Sequence, residues 1–169
     1  DMPYEERFIR AEASDVRCPI DSSAEKMRAE IEKTIHGKNT LGGVLEIVAL
    51  NLPVGLGSFV QWDRRLEAKL AMAIMSVQAI KGVEVGDAFE NAKRIGTEAH
   101  DPIQLPITDH QLQRSTNRAG GTEGGVSNGQ PIVIRAAMKP IATTLVPQQT
   151  VDLASGENAP TKYERSDFC

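Results

Sequence analysis

The chain has 169 residues, a formal net charge of -4, and 40% hydrophobic and 25% charged residues. That length suits one domain able to bury about two thirds of its unfolded surface. The composition excludes a disordered chain, the acidic balance lacks the basic footprint of a bulk nucleic-acid binder, and no apolar run is long enough to span a bilayer.

The two cysteines, Cys18 and Cys169, lie far apart with no signal peptide or glycosylation sequon beside them, so a reducing cytoplasm is expected. His36, His100 and His110 show no metal-ligand spacing with each other or with the cysteines, and no metal site is expected. The chain opens on Asp1 without an initiator methionine and closes on Cys169 directly after a charged segment, which reads as part of a longer chain.

Residues 1–20 mix charged and small residues without a clear period. Ser22-x-x-Glu25 has capping-box spacing ahead of Met27, Ile31 and Ile35, which predicts a one-sided helix over about 23–36 ended by Gly37. Ser23-x-x-Lys26 also matches an acyl-transfer motif, but no companion motif supports it, and capping explains it better. Gly42-Gly43 introduces an apolar run, Val44 to Leu52, that predicts a largely buried strand. Gly55-Leu56-Gly57 follows and offers the start of a dinucleotide fingerprint, yet Val60 stands where the third glycine is needed.

Asp63 is the expected N-cap of a helix over about 64–78, apolar nearly all round and therefore expected at the centre of the core. Arg64 and Arg65 at its start run against the macrodipole and invite an anionic partner. Lys81 to Gly86 predicts a short strand, and Asp87-x-x-Glu90 caps a helix over about 88–95 that Gly96 ends. From Thr97 to Arg118 no period is sustained, and Pro102 and Pro106 break what starts, so a long loop is expected. Further on, Thr150 to Leu153 and Thr161 to Arg165 read as a hairpin.

Between these lies the stretch that organises the chain, Arg114 to Thr143. Gly120-Gly121, Gly124-Gly125 and Gly129 precede an alternating run in which Ile132, Ile134, Ala136 and Met138 share one face and Val133, Arg135, Ala137 and Lys139 the other. Five glycines so close together mark sharp turns or close backbone approach. Arg135 and Lys139 on one face, roughly 13 Å apart at strand rise, suit a flat or anionic ligand.

Gly55-Leu56-Gly57-Ser58-Phe59, Asp63-Arg64-Arg65-Leu66, Ala79-Ile80-Lys81-Gly82-Val83-Glu84-Val85-Gly86, the cluster from Asn117 to Gly129, Lys139-Pro140-Ile141-Ala142-Thr143 and Glu164-Arg165-Ser166-Asp167 stand in an order and spacing that resemble the chorismate synthase family. The resemblance implies an α+β sandwich of antiparallel sheets and helices, with residues 1–169 forming a central to later part of the family domain. It implies a lyase of the shikimate pathway that converts 5-enolpyruvylshikimate 3-phosphate to chorismate and phosphate by 1,4-anti elimination. Reduced FMN is the implied cofactor, NADPH entering only as a reductant, in a cytoplasmic homotetramer.

Carried over by position, the family's flavin contacts fall on Gln78, Ala79, Gly124, Lys139, Pro140, Ile141, Ala142, Thr143 and Arg165. Arg165 offers a fork for carboxylate or phosphate, and Asp167 is the residue expected to help proton removal, because a carboxylate beside a reduced flavin gains proton affinity. The family's Gly-x-Ser-His-Gly block, its Arg-Ser-Ser segment and its two active-site histidines have no counterpart in this sequence. A non-catalytic flavin-binding or assembly module is therefore the alternative reading, and a dinucleotide-binding domain built on Gly55-x-Gly57 is a third.

Overall fold

The computed structural model describes residues 2–108 and 111–162. They form two units, one of residues 1–42 with 140–169 and the other of residues 43–139.

The first unit holds helices α1 (Tyr4–Ala13) and α2 (Asp21–His36) and a hairpin of β8 (Gln149–Val151) with β9 (Asn158–Pro160). Helix α1 falls where no period is readable in residues 1–20. It carries Glu5 and Glu6 in its first turn and Arg10 in its last, matching the helix dipole, and Arg10 pairs with Glu6 one turn back at 2.9 Å. Asp15 then binds Arg28 of α2 at 2.8 Å. The capping box expected at Ser22 is not formed: α2 starts at Asp21 with Ile20 as its N-cap and no side-chain cap. Nor is Gly37 needed for its freedom, since it is right-handed and Lys38 takes the left-handed position at φ 55. The hairpin lies a few residues N-terminal to the one expected, with Thr150 opposite Ala159.

The second unit is built on a three-stranded antiparallel sheet in the order β1 (Gly43–Ala49), β7 (Ile132–Met138), β2 (Ile80–Val85). Helix α3 (Leu66–Met75) packs on β2. The core belongs to the central strand, where Ile132, Val133, Ile134 and Ala136 are buried, with Ile80 beside them. Each such aliphatic side chain contributes about 1.5–3 kcal/mol. The expectation that α3 sits at the centre of the core is corrected: no residue of α3 is buried, and Met72 and Met75 are exposed. Strand β1, expected to be largely buried, is an edge strand with Val44, Leu45 and Ile47 exposed. An apolar pattern predicts a face that can be covered; it does not say that a short sheet with one helix covers it.

Helix α3 is also shorter than expected. A 3-10 turn, Trp62–Arg64, precedes it, and Arg65 rather than Asp63 is its N-cap. The reason lies far along the chain, since the Leu66 N–H donates to the Gly125 carbonyl at 2.8 Å and so replaces a capping side chain. Short helices α4 (Ala88–Asn91) and α5 (Gly96–Ala99) follow β2. Asp87 is the N-cap of α4 without a side-chain bond, and the Phe89 N–H donates instead to Glu84 at 2.9 Å. Gly96, expected to end a helix, begins α5. The expected loop from Thr97 to Arg118 contains a hairpin, β3 (Ile103–Thr108) with β4 (Gln111–Arg114). Its ladder is irregular between Gln104 and Thr108, which is where Pro106 is accommodated without donating a backbone hydrogen bond.

Candidate functional site

The glycine cluster folds into a small hairpin, β5 (Thr122–Glu123) and β6 (Val126–Ser127), turned by Gly124 and Gly125 at φ 60 and 95. A two-residue hairpin with both central residues at positive φ requires such residues. Gly125 also lies against the Ser58 carbonyl and the stem of Arg65, whereas the space a Gly124 side chain would enter is open. Gly57 bridges to Val126, and Gly86 approaches the Arg118–Gly120 backbone so closely that a Cβ would stand 2.3 Å from the Arg118 carbonyl. No helix starts directly after Gly57, so Gly55-x-Gly57 is a packing motif and not a dinucleotide turn.

Two residues that the sequence did not single out hold this cluster. Ser127, 1% exposed, donates its hydroxyl proton to the Pro53 carbonyl at 2.6 Å and accepts from the Leu56 N–H at 2.9 Å, tying β6 to the 53–57 loop. Asp101, 6% exposed, accepts from the Thr116 hydroxyl and from the Arg118 and Ala119 amides at 2.8 and 2.9 Å. Burial alone would raise its pKa, but these donors and the charge of Arg114 outweigh that, and the carboxyl sits below its ordinary value. Asp101-Pro102 carries no period, and nothing in its spacing announces a buried acceptor.

The cationic face expected on β7 is only half present. Arg135 stands in one row with Glu46 of β1 and Glu84 of β2, bonding them at 3.2 and 3.4 Å, and Asp87 lies 3.7 Å away. Burial lowers the Arg135 pKa, yet the two glutamates raise it further and the balance is upward. Its charge is already met by three carboxylates. Arg65 likewise finds its anionic partner within the chain, at Glu67.

Of the residues expected at a cofactor, the structure brings three together at one end of the sheet. Ala79 is left-handed at φ 68, a costly conformation for a residue with a side chain. Its carbonyl accepts from the Lys139 N–H at 2.9 Å, immediately beyond the Ile80–Met138 pair. Gln78 and Lys139 are exposed beside it. Gly124 is not with them, because it lies by the Ile132 end of β7, a strand length of roughly 20 Å away. Pro140, Ile141, Ala142 and Thr143 belong to the first unit, where the Thr40 hydroxyl donates to the Ile141 carbonyl at 2.7 Å. Arg165, Asp167 and His110 lie outside the described residues. His36 caps its own helix through Glu32, its Nδ1 2.7 Å from that carbonyl, and His100 is exposed after α5. Among the described residues no acidic, histidine or cysteine group could hold a metal, and no helix is long and apolar enough to cross a membrane.

An open groove of about 370 Å³ lies between α3 and strands β1 and β7, lined by apolar residues including Ile47, Leu56, Leu66, Leu70 and Ile134. It offers no group to orient a phosphate or carboxylate, so the polar end at Ala79 and Lys139 is the better candidate site.

Antiparallel sheets with helices, a glycine-clasped hairpin and a cationic sheet end define an α+β protein of the kind the six motifs resemble. The family model described as chorismate synthase matches residues 4–169. Chorismate synthases from Mycobacterium ulcerans and Trichlorobacter lovleyi are 55% and 49% identical, each over 99% of this chain and over 40% and 44% of their own length. A solved structure titled "Crystal Structure of Chorismate Synthase" superposes with a TM-score of 0.76 at 46% identity, covering 80% of this chain and 40% of that one. The chain belongs to the chorismate synthase family, and it spans about two fifths of the length of these relatives.

Proposed function

We propose that this chain forms part of a chorismate synthase acting in aromatic amino acid biosynthesis: an enzyme that converts 5-enolpyruvylshikimate 3-phosphate to chorismate and phosphate by 1,4-anti elimination. The observation that carries this is 55% identity across nearly the whole chain to a curated chorismate synthase. Reduced FMN, when bound, supplies electron density as the phosphate leaves; NADPH serves only as a source of reducing equivalents.

The residues present fit that group. Lys139 supplies a cation and Gln78 an amide at the sheet end, with Ala79 holding the backbone of Lys139 in place. Gly124 leaves open space at the hairpin tip, but it stands at the other end of β7 from Lys139 and is not part of that contact set. The family resemblance adds Pro140, Ile141, Ala142 and Thr143 as flavin contacts in sequence after Lys139. Arg165 binds a carboxylate or phosphate through its fork, and Asp167 accepts the ring proton. The assembly is a homotetramer in the cytoplasm.

The test is an anaerobic titration of this chain with FMN, followed by flavin fluorescence with and without 5-enolpyruvylshikimate 3-phosphate, beside the Mycobacterium ulcerans relative. The expected result is flavin binding that the substrate tightens in both. A relative that binds while this chain neither binds flavin nor responds to substrate would refute the assignment of cofactor contacts to this segment.

A further inference from the structure

The pairing of β2 with β7 contains a break. Ile80 stands opposite Met138 and Gly82 opposite Ala137, so Lys81 is the extra residue of a β-bulge. A bulge releases a side chain from strict alternation and re-aims it, and bulges are over-represented beside active sites. Lys81 is exposed there while its neighbour Ile80 is buried. One residue before Ile80, the left-handed Ala79 takes the Lys139 N–H. Lys81 and Lys139 thus lie diagonally across two paired strands, roughly 7–8 Å apart at the backbone.

These two cations are used differently from the third on the sheet. Arg135, four residues before Lys139, is met by Glu46, Glu84 and Asp87. Among the described residues neither Lys81 nor Lys139 forms an ion pair. The sheet therefore neutralises its centre and leaves its Ala79 end cationic, with the Gln78 amide beside it. Two lysines act as compact point charges on flexible stems, which suits a small dianion better than a planar carboxylate.

We infer that Lys81, released by the bulge, joins Lys139 in binding the phosphoryl group of a phosphate monoester. The identity of that ester rests on the proposed function; the anion site does not. Two sources share the chemistry, the flavin phosphate and the substrate phosphate.

The test is isothermal calorimetry of the chain and of Lys81→Met with inorganic phosphate, FMN, riboflavin and 5-enolpyruvylshikimate 3-phosphate, at low salt. Lys69→Met, on exposed α3, is the control, and circular dichroism checks that each variant is folded. Lys81→Met is expected to weaken phosphate binding about tenfold, the loss of one charge-assisted contact, while Lys69→Met leaves it unchanged and Lys81→Arg restores most of it. If the preference for FMN over riboflavin also disappears in Lys81→Met, the flavin supplies the phosphate; if that preference stays and the substrate weakens, the substrate does. Phosphate binding that depends on Lys81 in a chain that binds no flavin would remove the flavin reading and leave the anion site standing. Equal binding of phosphate and of both esters by the chain and Lys81→Met, or no phosphate binding by the chain, overturns the inference.

Discussion

Replacing Ser127 by alanine removes one oxygen that serves two backbone groups of the 53–57 loop. The Pro53 carbonyl loses a donor 2.6 Å away and the Leu56 N–H loses an acceptor 2.9 Å away. The serine is only 1% exposed, so its own oxygen is shielded, although the loop that carries Pro53 and Leu56 is on the surface. Each group left unsatisfied costs about 1–3 kcal/mol. The backbone bonds Gly55 N–H to Ser127 and Ser127 N–H to Leu56, both 2.9 Å, still hold the two segments together, so the loop shifts rather than detaches and the total should be about 2–4 kcal/mol. At the scale of this chain that is a fall in Tm of roughly 4–16 °C. Urea titrations followed by far-UV circular dichroism measure the free energy, and thermal scans the midpoint. Ser58→Ala is the comparison, because that hydroxyl accepts only an exposed Val60 N–H at 3.2 Å, and its loss should stay under about 0.5 kcal/mol. If Ser127→Ala were no more destabilising than Ser58→Ala, the two hydrogen bonds of the Ser127 hydroxyl would not be what ties β6 to the 53–57 loop.

Two further outcomes follow from the same contacts. Asp101→Asn should destabilise the protein by about 1–3 kcal/mol at neutral pH. Because the folded pKa is depressed, the carboxylate's contribution is fully present above its unfolded value of 3.8 and is lost as pH falls through the lower folded pKa; acid unfolding curves of the two proteins should therefore converge at the acid end, and parallel curves would argue against Asp101 as the cause. Gly86→Ala should prevent stable folding, since its Cβ would overlap the Arg118–Gly120 backbone at φ 61, while Gly124→Ala meets open space at φ 60 and should cost only about 1–2 kcal/mol, the local strain. Expression and thermal scans of the pair separate close packing from turn strain, and equal losses would contradict that distinction.

Strand β7 and its two glycine pairs were legible because period 2 and glycine clustering act locally. Helix α2 was legible for the same reason, although its start was placed by a capping box that Ile20 and Asp21 pre-empt. What escaped was set by partners distant in the chain. The Gly125 carbonyl decides where α3 begins, fifty-nine residues earlier in sequence than itself, and Asp101 becomes an acceptor only when Thr116 to Ala119 fold around it. The resemblance grouped Lys139 with Gln78, Ala79 and Gly124 only as flavin contacts; the structure shows a backbone bond between Lys139 and Ala79 and puts Gly124 at the other end of β7. Lys81 had a readable signal, the glycine that follows it inside a strand, which often marks a bulge. The cationic stripe failed because period alone cannot tell a free cation from one whose partners lie on flanking strands, as Arg135's do.

The row Glu46–Arg135–Glu84 also constrains how the sheet can be assembled. A slip of one residue between β1 and β7 would exchange the two faces of β1 relative to β7, setting Leu45 or Ile47 in the row of Arg135 in place of Glu46. A slip of two keeps every face correct and is the error a short antiparallel sheet has least defence against. Here it would set Val44 or Val48 against the guanidinium and move Glu46 opposite Val133 or Ala137. On the β1 side the misaligned pair would lose the Glu46–Arg135 bond and face each charge with an aliphatic side chain, while Glu84 still meets Arg135 from β2, so the ion row disfavours a β1 pairing that hydrophobic patterning alone would accept.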